Sequence, residues 1–156
     1  MMSRRAFLKA GLVLTPIAAG LAACGRGGSW PDGMVPIVWD RDTCVRCRMV
    51  ISERRFAVEM RGSAQDAAFK FDDIGCAIFW QRDKAADHPW MADAATRIWV
   101  ADVGSRGNEV HWLDAHGAQY IGKTSPMGYG FGAVGQPQPG SFDYETMRQH
   151  VLARGK

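Results

Sequence analysis

Cysteine, histidine and net charge are all scarce in this chain. It has four cysteines and four histidines in 156 residues. There is a single Cys-x-x-Cys pair, Cys44 and Cys47. A two-pair zinc knuckle therefore has no second half, and a zinc site would need Cys76 plus one of His88, His111, His116 or His150. The residue after Cys47 is Arg48 rather than histidine, which excludes covalent c-type haem attachment. The Gly-rich GYGFG (residues 128–132) lacks the Lys-Ser/Thr that follows a phosphate-binding loop. The apolar run near the N-terminus, residues 10–23, holds 14 residues, where a membrane-spanning helix needs roughly 20.

That run has the form of an export signal. A basic segment, MSRRAFLK, precedes it, and LAAC closes it at Cys24. The order is that of a bacterial lipobox with Cys24 as the lipid-modified residue, and the paired Arg4 and Arg5 resemble a twin-arginine signal. Expected divisions are a signal peptide over 1–23, a lipidated cysteine and flexible tether over 24–41, and one domain over 42–156. Two acyl chains on Cys24 would suffice for stable anchoring, facing the periplasm.

Charge becomes neutral once the leader is set aside. Arg4, Arg5 and Lys9 belong to the leader, which leaves sixteen basic residues against sixteen acidic ones. Nothing in that balance points to nucleic acid. Three cysteines then belong to the domain: Cys44, Cys47 and Cys76. An odd number argues against a pure disulfide framework, although a Cys44–Cys47 bridge beside a free Cys76 stays open.

The pattern along the domain is α+β with mainly antiparallel strands. A short edge strand is expected at 35–39, where Pro36 argues against a central position. Alternation in RFAVEMR puts Phe56, Val58 and Met60 on one side of a strand at 55–61. AAFKFDD (67–73) alternates likewise, with Phe69 and Phe71 inward. Asp72 or Asp73 can cap the helix that follows, a plainer role than a paired-carboxylate site. Strands are expected at 96–103 and, as its hairpin partner, 109–114, then at 118–123. Residues 125–140 are too rich in Gly and Pro for regular structure. Ser141 is the expected cap of a final helix at 142–153. Two tandem strand-strand-helix units would fit this order.

The stretch CVRCRM (residues 44–49) combines two thiols and a thioether. Thiol redox chemistry usually places Cys-x-x-Cys at a helix N-terminus, but the residues after Cys47 read as turn and strand. Soft sulfur donors select Cu(I). In extended chain, Cys47 and Met49 would project to the same side, since side chains alternate with period two. A third soft ligand must come from elsewhere. Met127, between Pro126 and Gly128, sits in a loop with little core-forming character. His116 suits copper as well, His111 less so, and Cys76 reads as a small buried hydrophobe. Zinc binding and thiol-disulfide exchange remain the alternatives.

The combination CVRCRMVISERRFAVEM, FKFDDIGC, WLDAHGAQYI and SPMGYGFGA, in this order, resembles the NosL family, copper-binding lipoproteins that accompany nitrous oxide reductase. The resemblance covers residues 42–134. It implies a fold of two ββα-type units and a lipid-anchored periplasmic metallochaperone, not an enzyme, that binds Cu(I). It implies a Cys-x-Met motif at Cys47 and Met49, with Met127 as the late methionine ligand. Implied partners are apo nitrous oxide reductase or its membrane maturation complex. Arg48 stands where many relatives have glycine, and the role of Cys44 stays open among exchange ligand, redox partner and bystander.

Overall fold

The computed structural model describes residues 30–155. The signal sequence, the lipobox and Cys24 lie outside the described residues. Six strands and two α-helices follow in the order β1 (Val58–Gly62), β2 (Ala67–Phe71), α1 (Ile74–Asp83), β3 (Arg97–Ala101), β4 (Trp112–Asp114), β5 (Gln119–Gly122), β6 (Phe131–Val134) and α2 (Tyr144–Ala153). All strand pairs between these elements are antiparallel. The fold is α+β. One sheet runs β2-β1-β3-β4, and β5-β6 form a separate hairpin. Two strand-strand-helix units, β1-β2-α1 and β5-β6-α2, thus flank the β3–β4 hairpin, which extends the first unit's sheet.

Alternation sets β1 and β2. Val58 pairs with Phe71 and Met60 with Phe69. Val58, Met60 and Phe71 are fully buried, and Phe69 stacks on Trp90 and packs at a tilt against Trp80. Phe56 belongs to a short 3-10 turn, Arg54–Phe56, so the strand starts later than its alternation suggests. Glu59 is buried as well: Val35 N–H donates to its Oε1 at 2.8 Å, and Oε2 has no hydrogen-bond partner among the described residues. Burial pushes this carboxyl up to about 6.

Helix α1 buries every residue from Ile74 to Trp80. It lies against β1, β2, β6 and α2, so apolar neighbours surround it. Its cap is Asp73, which takes the Gly75 N–H.

Four local expectations differ. Residues 35–39 form no strand. Pro36 has no N–H to give, its carbonyl is taken by Lys70 Nζ, and the Val35 N–H goes to a side chain. Strand β6 forms inside the Gly-rich stretch, where Val103 N–H bonds the Ala133 carbonyl. A Cβ at Gly132 would overlap Val103, so glycine permits that close approach. The cap of α2 is Asp143 instead of Ser141, because Phe142 is held in extended form by two 2.8 Å backbone bonds to Tyr120. Finally, the stretch expected as tether up to residue 41 is packed from residue 30 onward. Met34 and Ile37 enter the core, and Trp30 stacks on Trp39 and packs at a tilt against Trp112. Among the described residues, no helix is long and apolar enough to cross a membrane.

Candidate metal centre

Three segments meet at the start of α1. The first is the loop carrying Cys44 and Cys47. It is closed by backbone bonds from Cys44 N–H to the Met49 carbonyl (2.8 Å) and from Arg48 N–H to the Cys44 carbonyl (3.0 Å). Arg48 takes φ +66°, a left-handed conformation that favours glycine. This interrupts the extended alternation that would have aligned the Cys47 and Met49 side chains, and Met49 is 57% exposed.

The second segment is the strand-to-helix junction from Phe71 to Cys76. Its two aspartates divide their duties. Asp73 caps α1, while Asp72 faces the cysteine loop and accepts from the Cys47 thiol at 3.4 and 3.6 Å. Cys76, in the first turn of the helix, points into the same space. Ligand atoms of Cys44, Cys47, Asp72 and Cys76 all lie within 4.8 Å of one another. Cys44 and Cys76 are fully buried, Asp72 nearly so, and Cys47 is half-buried. All three cysteines are free thiols.

The third segment is the loop from Ser125 to Gly130. The Met127 N–H donates to Asp73 Oδ2 at 3.2 Å, and Arg46 Nη1 donates to the Tyr129 hydroxyl at 2.6 Å. Tyr129 also packs where a Cβ on Gly75 would be, so only glycine lets this loop approach the helix. Met127 itself is partly buried against the core cluster that contains Cys44 and Cys76.

Electrostatics are shared across the cluster. A hydrogen bond from Cys76 pulls the Cys44 thiol down to about 6, and the same bond, with burial, pushes Cys76 up. Burial pushes the Cys47 thiol up to about 12. Three thiol sulfurs and one carboxylate form a donor set for a metal ion, and sulfur dominates it.

The structure therefore gathers Cys44 and Cys47 with Asp72 and Cys76. Cys76 is both a buried small side chain and a member of the cluster. By sequence Asp72 reads as a helix cap or as half of a carboxylate pair, and its adjacency to Asp73 leaves the choice of cap undecided. Met127 arrives through its backbone at the same junction. His116 does not join the cluster: it is exposed, and its ring packs on Tyr144.

Fold and site together define a small α+β domain with a cysteine-rich cluster that could hold a metal. In fold it is similar to the crystal structure of the copper chaperone NosL from Shewanella denitrificans, with a TM-score of 0.50 and 16% identity. That match covers 76% of this chain and 88% of the other. The fold is thus NosL-like. No protein-family profile and no curated protein sequence matches the chain.

Proposed function

We propose that this protein binds Cu(I) and passes it to another protein as a metallochaperone, rather than acting as an enzyme. The observation that carries this reading is the convergence of three cysteine sulfurs and Asp72 within 4.8 Å, on a NosL-like fold. Cys44 and Cys76 would hold the ion from the buried side. Cys47, with Met49 and Met127 contributing thioether sulfur, would face the exchange side. Soft sulfur donors suit Cu(I) and disfavour hard cations. Transfer would proceed by ligand exchange: an incoming sulfur of the acceptor bonds the copper near exposed Met49, and a sulfur of this chain leaves.

The export leader and Cys24 extend the proposal to a lipid-anchored, periplasm-facing protein. Its proposed acceptor is apo nitrous oxide reductase or the membrane complex that matures it. Labelling with a radioactive fatty acid, abolished by Cys24→Ser, tests the anchor.

Asp72 favours one second reading. An oxygen donor beside three thiolates also suits tetrahedral zinc. Elemental analysis of anaerobically purified protein separates the two. The copper reading expects one copper per chain and successful competition against a chromophoric Cu(I) chelator. Tightly retained zinc that Cu(I) does not displace would overturn it.

A further inference from the structure

Asp73 touches both the helix start and the late methionine loop through its side chain. It is fully buried. Its Oδ1 accepts the Gly75 N–H at 2.9 Å, which caps α1, and its Oδ2 accepts the Met127 N–H at 3.2 Å. The Ser125 hydroxyl also hydrogen-bonds this carboxylate. The loop is organised around the same serine, since Ser125 Oγ takes the Gly130 N–H at 3.0 Å and the Ser125 carbonyl takes the Gly128 N–H at 3.0 Å.

We propose that Asp73 is a positioning residue for the metal centre, whose two carboxylate oxygens couple the cap of α1 to the placement of Met127. It touches neither the metal nor the acceptor. Its neighbours on either side in the chain, Asp72 and the first turn bearing Cys76, are members of the cluster. The bond to Met127 therefore brings the distant loop into register with the helix-borne ligands. A neutral cap would not do this. Serine or asparagine caps helices as well as aspartate does, but neither offers two acceptor oxygens. The inference rests on the Cu(I) reading of the site and on Met127 as a ligand within it.

Asp73→Asn isolates the two roles. Its carbonyl oxygen can still accept from Gly75, whereas its NH₂ group cannot accept from Met127. The expected result is a melting temperature close to wild type and a Cu(I) affinity about 10-fold lower, the size typical of residues that orient ligands. X-ray absorption of the copper-loaded variant should show one sulfur scatterer fewer than wild type. The double variant with Met127→Ala should lose no more affinity than Met127→Ala alone.

Wild-type affinity in Asp73→Asn, or losses that simply add, would overturn the inference while leaving the Cu(I) reading intact. No Cu(I) binding by the wild type would overturn both. A measurement on unmutated, metal-free protein stands apart from folding of the variants. The Met127 amide should exchange with deuterium slowly, and rapid exchange there would sink the tether.

Discussion

The two halves of the candidate site are built differently. The helix-borne half, Asp72, Asp73 and Cys76, sits at the buried junction of β2 and α1, with each residue under 5% exposed. The loop-borne half, Cys44 to Met49, has no strand or helix of its own and carries a left-handed Arg48. Among the described residues, the exposed large hydrophobics include Met49 in this loop and Val50 directly after it. The proposed role as a carrier of an ion needs both properties. The helix-borne half, with Cys44 buried beside it, keeps sulfur in a fixed place, and the more exposed part of the loop, Cys47 to Met49, can trade one ligand for another. The loop from Ser125 to Gly130 joins them, fastened to the helix by Asp73 and to the cysteine loop by Arg46 and Tyr129.

The strongest way to break this comparison is to remove one sulfur from each half. Cys47→Ser and Cys76→Ser are each expected to lower Cu(I) affinity about 100-fold or more, because hydroxyl oxygen is a poor donor for a soft ion. Chelator competition measures both. They should differ in kinetics, with Cys47→Ser also altering the rate of copper release to a competing thiol. Unchanged affinity in Cys76→Ser would remove the helix from the site.

A second test forces the halves apart. Gly75→Ala puts a methyl group into the Tyr129 ring. Overpacking of this kind should cost about 1–3 kcal/mol in denaturant unfolding and weaken copper binding with it. Full affinity in that variant would show that the late loop is dispensable.

A third prediction belongs to neither half and serves as their control. Glu59 is buried in β1 and pushed up to about 6 from 4.5. The folded state therefore binds its proton more tightly than the unfolded chain does. The resulting stabilisation is present in full below pH 4.5 and is lost as pH rises through 6. It amounts to about 2 kcal/mol. Unfolding of Glu59→Gln should lack this slope, while its Cu(I) affinity stays as in wild type.

The smallest effect sharpens the picture of the loop alone. Arg48→Gly relieves a left-handed arginine and should stabilise the protein by about 1 kcal/mol in thermal unfolding. Affinity should hardly change, because the cysteine loop stays closed by its own backbone bonds. A large loss would mean that the Arg48 side chain has a part in binding.

Much of the framework was legible from residue pattern. Strand β2, the β3–β4 hairpin and a helix capped at the double aspartate follow from alternation, turn residues and capping chemistry. What pattern could not reveal was structure made by contact. Strand β6 hides among glycines because its pairing is with Tyr120 and Val103, not within its own stretch. The cap of α2 moved from Ser141 to Asp143 because Phe142 is bound to β5. In the site, Cys44 and Cys47 announce themselves by spacing. Asp72 and Cys76 do not, since a helix cap and a buried small residue are equally good local readings of each.

The sequence by itself determined the supply of soft donors, because thiols and thioethers are set by residue type, and the α+β class, because periodicity follows from backbone geometry. Only the tertiary structure decided which donors meet. Cys44 and Cys76 are 32 positions apart, and the Met127 backbone, 51 positions beyond Cys76, reaches the same junction through Asp73. Their meeting depends on the burial of α1 and on a glycine small enough to admit Tyr129. It also depends on Asp73, an aspartate placed to bind both the helix and the loop. Those are packing outcomes, which no local pattern encodes.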